Sequence, residues 1–318
     1  RINMINIKSL IYLLFIILAI GCKNQAPEIK IYAADDLLND LTYAIEKLEG
    51  QLTASGGNIS IVSKEQDANL KLELVPQANT DAEKNDGFSI VKNENTFTLS
   101  SECSRGLLYG LLDISVQLSD GKDWNHIEEK SIRAHHDFRA IKFNLPWYSY
   151  RSGEHLALHT ETCKDLKYWE SFLDMMVENK FNALTLWNMH PYMYMVKSPS
   201  YRDVSPFTDD EMKEWETFWK ELFGMAKARG IQTFVVNWNI FLPENFAKIY
   251  NEADYMSEEG DNHIGEGVTN EHVETYMREV VTETINTYED LTGIGITLGE
   301  RMGGMTSEER KDWVNRTI

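Results

Sequence analysis

Between residues 138 and 318, strand-like apolar runs alternate with helical patterns, and this alternation limits the chain to few folds. The apolar runs cover residues 138–145, 181–187, 231–238 and 292–298. Each run is followed by residues whose apolar positions recur with the helical period. Repeated strand-helix units of this kind need a parallel sheet that is covered by helices. We therefore expect an α/β fold class, in which a small α+β domain precedes a partial (β/α)8 barrel of about four βα units.

The connections between these elements differ in length at the two ends of the expected sheet. The helix-to-strand turns are short, at 179–180, 229–230 and 290–291, and the strand-to-helix connections are long, at 146–162, 188–207 and 239–269. A barrel builds its active face from long loops at the carboxyl ends of its strands. The functional residues should lie at that end.

Only part of a barrel is expected here, because a complete barrel has eight βα units over roughly 250 residues. We expect residues 138–318 to be the N-terminal half of a barrel-type catalytic domain, truncated from a longer enzyme. Two alternatives remain open, namely a small open α/β domain and a dimer in which two half-barrels pair.

The residues before the barrel form a unit of a different kind. Residues 28–119 contain a strand, a helix, several alternating strands and a second helix, an order typical of an α+β domain. Residues 120–137 are polar and are expected to be a linker between the two domains.

The N-terminal segment resembles a bacterial export signal. Lys8 is followed by an apolar run over 10–20 and by small residues, so residues 1–21 are expected to be a signal peptide. Cys22 follows Ala19-Ile20-Gly21, a sequence similar to the lipobox in which this cysteine is acylated. Residues 22–27 would then be a lipidated tether, and the protein would be anchored in the bacterial envelope, in the periplasm or on the surface. An ordinary secretory peptide is the alternative.

The charge excludes nucleic acid as the default partner. The chain has 31 Lys and Arg against 50 Asp and Glu, a net charge of −19, whereas phosphate binding needs a basic surface. We expect membrane contact through the lipid anchor only, and nothing in the sequence indicates an oligomeric state. His155 and His159 lie four residues apart, but the segment lacks His-Glu-x-x-His, so no metal and no cofactor are expected.

Three of the expected strands end in asparagine together with tryptophan. Amides and imidazoles bind sugar hydroxyls, and aromatic rings stack on the C–H faces of sugars. The candidate sugar-binding residues at these strand ends are Asn144, Trp147, Trp187, Asn188, His190, Asn237, Trp238 and Asn239. For each tryptophan, packing in the core is the alternative.

Short motifs resemble families of glycoside hydrolases. Arg105 and the Gly-Leu-Leu-Tyr-Gly sequence at 106–110 are similar to the end of the domain that precedes the barrel in bacterial hexosaminidases and α-glucuronidases. The sequences at 138–142 and 182–187 look more like the α-glucuronidase type. The adjacent Asp-Glu pair of hexosaminidases is absent, and Gly299-Glu300-Arg301 stands in its place.

The resemblance implies which residues carry the chemistry. Glycoside hydrolysis needs two carboxyl groups that flank the scissile bond, and Glu300 occupies the position of the general acid. The base carboxylates of this type lie beyond strand four, so the fragment itself is expected to lack them. Arg151 and Arg301 are candidates for binding a uronate carboxylate. The alternatives are a helix-start role for Glu300, its ion pair with Arg301, and surface ion pairs for both arginines.

The sequence therefore predicts an exported, α-glucuronidase-like glycoside hydrolase. It would remove an acidic or neutral sugar from an oligosaccharide or polysaccharide by inversion, with Glu300 as the acid. The alternatives are a non-catalytic glycan-binding lipoprotein and a hexosaminidase-type exo-glycosidase, and the second is weakened because Gly299 stands where the family has aspartate.

Overall fold

The fold is described from a computed structural model of the chain, which describes residues 27–54, 56–75, 85–147, 154–250, 270–298, 302 and 305–318. The chain divides into two compact units. Unit 1 ends at Ala134 and unit 2 begins at His135.

Unit 1 is an α+β layer. Its strands are β1 (Glu28–Tyr32), β2 (Asn58–Ile61), β3 (Leu70–Leu74), β4 (Phe88–Asn93), β5 (Thr96–Ser101) and β6 (Lys130–Ile132). Its helices are α1 (Asp35–Asp40), α2 (Thr42–Ala54) and α3 (Ser104–Ser119). The strands form one six-stranded sheet in the order β2-β1-β3-β5-β4-β6. The apolar sides of α2 and α3, with Leu48, Leu52, Leu111 and Ile114, are buried in its core.

The glycines of the motif at 106–110 have a packing role in this unit. A Cβ atom on Gly110 would lie 2.2 Å from Leu99 Cδ1, and one on Gly106 would lie 2.5 Å from the Gly87 carbonyl oxygen. Helix α3 therefore approaches β5 and the residue before β4 more closely than any side chain at these two positions would allow. Arg105, which precedes these glycines, forms an ion pair with Asp86 at 2.8 Å.

The segment 120–137, which we expected to be a linker, contains a strand. Strand β6 pairs antiparallel with β4, with Ser131 opposite Ser89, and Trp124 is buried against Phe97. The strand has only three residues and one large apolar side chain, Ile132, so its sequence carries no alternating pattern.

Unit 2 is a parallel strand-helix array. Its strands are β7 (Ala140–Asn144), β8 (Ala183–Asn188), β9 (Gln232–Trp238) and β10 (Gly293–Thr297). Its helices are α4 (Glu154–Thr162), α5 (Leu166–Glu178), α6 (Asp209–Ala228), α7 (Glu244–Tyr250), α8 (Glu271–Thr287) and α9 (Ser307–Thr317). All pairings are parallel and the sheet order is β10-β9-β8-β7. This arrangement confirms the expected fold class, an α+β layer followed by part of a (β/α)8 barrel.

The helix boundaries of unit 2 follow local sequence signals. Thr208 and Glu211 form a capping box at the start of α6, and Thr306 and Glu309 form another at α9. Helix α6 ends before Gly230, whose φ of +67° is the left-handed conformation that favours glycine.

The long strand-to-helix connections contain structure that the sequence pattern does not indicate. Helix α4 lies in the first connection and α7 in the third, and short 3₁₀ turns at Pro191–Tyr194 and Arg202–Val204 lie in the second. The apolar side chains of these short elements lack a sustained helical period, because each element makes only one to three turns.

None of the helices in the described ranges combines the length and apolar composition that crossing a bilayer requires.

Candidate active site

The alternation of side chains in the unit 2 sheet assigns each strand residue to one of two faces. Phe143 of β7 packs against Trp169 and Phe172 of α5, with ring centroids 4.9 and 5.6 Å apart. Its neighbours Lys142 and Asn144 therefore lie on the opposite face, which we call the inner face. The outer face is the one that the helices cover.

The strand register continues the inner face across the sheet. Asn144 lies opposite Trp187 and Trp187 opposite Val236, and Trp238 lies opposite Thr297. Polar and aromatic residues of the inner face, which are far apart in the sequence, thus lie side by side at the carboxyl ends of the four strands. This is the end of a barrel at which catalytic residues lie.

Four residues of this face, Lys142, Asn144, Trp187 and Trp238, form what we call the inner-face platform. The Trp187 and Trp238 rings are nearly perpendicular, with centroids 6.5 Å apart. The Lys142 ammonium lies 4.0 Å from the centroid of the Trp187 ring. Both indoles are partly exposed, and Lys142 and Asn144 are exposed. Rings beside a cation and an amide are a suitable surface for a sugar.

Trp147, a predicted sugar-binding residue, is instead a core residue. Its side chain is buried, with ring centroids 4.7 Å from Trp215 and 5.9 Å from Trp219. Its indole N–H donates to the Thr160 carbonyl oxygen at 3.0 Å. The ring has no free polar group or open face, because the aromatic side of α6 packs against it.

Asn188 braces two strand ends from the buried side. Its amide nitrogen donates to the Trp147 carbonyl oxygen, and its amide oxygen accepts from the His190 backbone N–H at 2.9 Å. Both polar atoms are thus paired with backbone. Asn188 therefore joins the segment after β7 to the segment after β8, and this role explains why an amide lies there.

His190 is fully buried among aromatic residues. Its Nε2 lies 2.8 Å from the Tyr276 hydroxyl, and its ring also contacts Tyr192. Burial lowers the pKa of His190 from 6.5 to about 3. The imidazole is therefore neutral at physiological pH and is suited to fixing α8 on the β8 end rather than to carrying charge.

Asn239 joins β9, β10 and α9. Its amide oxygen accepts from the Trp313 indole N–H at 3.2 Å, and its backbone N–H donates to the Thr297 carbonyl oxygen at 3.1 Å. Its amide nitrogen also lies 3.5 Å from that carbonyl oxygen. Asn239 is 1% exposed, so it is a structural connection in this sheet.

Asn237 differs from its neighbours because it is 0% exposed and, within the described ranges, neither of its polar side-chain atoms has a hydrogen-bond partner. The Thr297 hydroxyl and His190 Nδ1 are in the same situation near the same strand ends. A buried amide without partners costs about 1–3 kcal/mol. Of the buried predicted amides, Asn237 is the one whose presence the described packing does not explain.

A carboxylate of α8 fixes the connection after β8. Glu279 accepts hydrogen bonds from the Ser198 hydroxyl at 2.5 Å, the Ser200 hydroxyl at 2.6 Å and the Ser200 backbone N–H at 3.0 Å. We call this arrangement the Glu279 clamp. It attaches residues 198–200 of the connection to α8.

Four predicted residues lie outside the described residues, namely Glu300, Arg151, Arg301 and Cys22. Their roles stay predictions. In the part of the chain that the structure describes, no three His, Cys, Asp or Glu side chains come together to hold a metal ion.

Lys142 is not among the residues predicted from the sequence, although the sequence contains a signal for it. Strand β7 reads Ala-Ile-Lys-Phe-Asn, so a period of two places Lys142 on the same face as Asn144. A lysine inside a strand is normally assigned to solvent, and its contact with Trp187 depends on the register between β7 and β8.

Comparison by sequence finds no matching protein-family model and no matching curated protein. Comparison by structure finds glycoside hydrolases. A family GH138 enzyme that targets pectin rhamnogalacturonan II matches with a TM-score of 0.74 and 23% identity over 92% of this chain and 41% of the enzyme.

Family GH20 enzymes match at lower similarity. The Flavobacterium johnsoniae chitobiase has a TM-score of 0.57 and 13% identity over 91% of this chain and 42% of its own. A Streptomyces plicatus β-hexosaminidase variant in complex with GlcNAc has a TM-score of 0.57 and 12% identity, with 91% and 58% covered.

The chain thus spans 41–58% of the length of these structures. At such identities the likeness establishes the fold, and this fold is one that glycoside hydrolases use.

We predict that His190 makes unit 2 less stable as the pH falls below 6.5. The unfolded state binds a proton near pH 6.5, whereas folded His190 resists protonation down to about pH 3. The stabilising contribution of neutral His190 is therefore complete above pH 6.5. As the pH drops from 6.5 to about 3, the free energy of unfolding falls by up to about 1.4 kcal/mol per pH unit. Urea unfolding followed by tryptophan fluorescence at several pH values should show a smaller slope for His190→Gln. The exposed control His159→Gln should keep the wild-type slope, and equal slopes for all three proteins would contradict the prediction.

We also predict that replacing Asn237 by leucine spares stability. Asn237→Leu removes an unpaired buried amide at nearly constant volume, so the free energy of unfolding should stay unchanged or rise by about 1 kcal/mol. Asn239→Leu is the matched control, because it breaks paired hydrogen bonds, and it should lose about 1–3 kcal/mol. Denaturant titration measures both. A loss for Asn237→Leu as large as that for Asn239→Leu would reveal a structural partner and contradict the prediction.

Proposed function

We propose that this chain is part of an exported glycoside hydrolase that acts on polysaccharide-derived sugars. The observation that carries the proposal is the inner-face platform. It gathers two indoles, an amide and an ammonium at the carboxyl ends of parallel strands, in a fold that GH138 and GH20 enzymes share. Such residues bind the hydroxyls and C–H faces of a sugar next to the place where barrel enzymes carry their catalytic carboxyl groups.

The proposed reaction is acid-base hydrolysis. In the sequence, Glu300 follows Thr297, the last residue of β10, by three positions, and barrel enzymes carry catalytic residues after the carboxyl ends of their strands. As a protonated carboxylic acid it would donate its proton to the departing glycosidic oxygen. A second carboxylate, from a part of the enzyme outside this chain, would activate water on the opposite face of the sugar and invert the anomeric centre.

The proposed substrates are acidic sugars of plant polysaccharides, in an α-glucuronidase-like specificity. A structural neighbour with a TM-score of 0.74 targets pectin rhamnogalacturonan II. Arg151 and Arg301 flank the expected site in sequence and are proposed to contact the uronate carboxylate.

A hexosaminidase-type activity is the second candidate, since the family GH20 neighbours share the fold. Gly299 precedes Glu300, and the aspartate that would position an acetamido group in that family is absent. A non-catalytic glycan-binding lipoprotein is the third candidate, and it would keep the platform while lacking hydrolysis.

We predict that Glu300→Gln abolishes hydrolysis while leaving binding intact. Removal of a general acid should lower kcat by roughly 10²- to 10⁴-fold, because glutamine can bind the substrate oxygen but cannot protonate it. The full-length protein and the variant should be assayed on aldouronic and pectic oligosaccharides and on aryl hexosaminides.

The matched control is Glu214→Gln, which changes an exposed glutamate of α6 by the same atoms and should keep full activity. Equal rates for Glu300→Gln and the wild type would remove Glu300 from the mechanism. Activity confined to aryl hexosaminides would favour the second candidate, and wild-type binding without turnover would favour the third.

We further propose that Cys22 is acylated and anchors the protein in the bacterial envelope. The support is the order of Lys8, the apolar run at 10–20 and the small residues before Cys22. The full chain has a net charge of −19 and residues 1–21 contain two bases and no acid, so the rest of the chain is still more acidic and has no attraction to anionic lipid headgroups.

We predict that Cys22→Ser releases the protein from the membrane fraction. The serine cannot accept the thioether-linked lipid, so the variant should move from the detergent phase to the aqueous phase in detergent phase partitioning. Cys163→Ser is the control and should stay with the membrane. Retention of Cys22→Ser in the detergent phase would disprove the anchor.

A further inference from the structure

Lys142 has an unusual position for a lysine. It lies in the middle of β7, on the inner face of the sheet, and its Cα is paired with that of Thr185 in β8. Asn144, two residues further on, lies on the same face at the strand end. The lysine stem is long enough to carry its ammonium from mid-strand to the level of Trp187, which lies opposite Asn144.

The ammonium of Lys142 has no acidic partner among the described residues. Other lysines of this acidic chain do form ion pairs, for example Lys130 with Asp113 at 2.9 Å and Lys197 with Asp209 at 2.8 Å. In a chain with 50 acids and 31 bases, an unpaired cation on the candidate sugar-binding face is not explained by surface ion pairing.

Trp187 holds this ammonium in place. The Lys142 Nζ lies 4.0 Å from the Trp187 ring centroid, a distance at which the negative face of the ring attracts a cation. The indole N–H of Trp187 donates to the Thr185 hydroxyl at 3.0 Å, which fixes the ring. A cation–π contact leaves the N–H donors of the ammonium that point away from the ring available to another group.

We propose that Lys142 determines specificity for acidic sugars, because its ammonium binds the carboxylate of a uronate whose ring lies against the platform. This inference rests on the proposed function, since it assigns the substrate contact within the same site. The Trp238 ring, perpendicular to Trp187, supplies apolar surface for the sugar ring, and Asn144 supplies an amide for its hydroxyls. A neutral sugar would lack a partner for the cation.

The test compares two acidic oligosaccharides, each with its neutral derivative. Calorimetric titration of the intact protein should use trigalacturonic acid, an aldouronic acid and the carboxyl-reduced, neutral derivative of each. The wild type should bind the acidic forms at least roughly tenfold more tightly than the reduced forms, because a charge-assisted hydrogen bond is lost on reduction. Lys142→Met should reduce this preference and weaken its salt dependence, whereas Lys142→Arg should retain it. The control Lys213→Met, on the outer helix α6, should bind as the wild type does.

Equal wild-type affinity for acidic and reduced ligands, or no binding of the acidic ligands, would overturn the inference. A Lys142→Met variant that keeps the full preference, or that loses both ligand forms equally, would also overturn it. The wild-type comparison does not depend on whether the variant folds. If Lys142→Met does not fold, Lys142→Gln provides a polar replacement. Hydrolysis of neutral glycosides with no effect of Lys142 would refute the inference and keep the proposed function. Lys142-dependent binding of uronates without turnover would keep the inference and refute the proposed hydrolysis.

Discussion

The two-sided character of the parallel sheet in unit 2 decides what each strand residue can do. Side chains alternate between a face that the helices bury and a face that the strands present to each other across the barrel. Phe143 and Leu184 supply the buried face, and Lys142 and Trp187 supply the other. Because all four strands run in the same direction, their inner-face residues meet at one end, and every proposed contact with sugar depends on this register.

This constraint separates the predicted strand-end residues into groups with different physical roles. Asn188 and Asn239 are paired with groups of neighbouring elements and hold the strand ends together. Asn237 is buried without a partner among the described residues. Trp187 and Trp238 remain at the partly open inner face. A shared residue type at strand ends therefore does not imply a shared role.

The sequence was sufficient for the four strands of unit 2, for the longer helices between them and for the starts of α6 and α9, because periodicity and capping are local. Thr208 with Glu211 is an example, since both members lie within one turn. It was not sufficient for β6, whose three residues are recognisable as a strand only through pairing with β4. The burial of Trp147 also depends on distant residues, because Trp215 and Trp219 of α6 enclose its ring. Lys142 is predictable in part. The alternation of side chains along β7 indicates its face of the sheet, but its contact with Trp187 follows only from the register between β7 and β8.

The Glu279 clamp has a consequence for protein engineering. The connection after β8 is the natural segment to exchange if the barrel is to be adapted to another glycan. Its shape, however, is specified partly by a carboxylate that lies 81 residues downstream of Ser198. A chimera that transplants residues 189–207 alone would carry the serines without their acceptor. A modular exchange of this loop must include α8 as well, so the unit of recombination here is a pair of segments rather than a single loop.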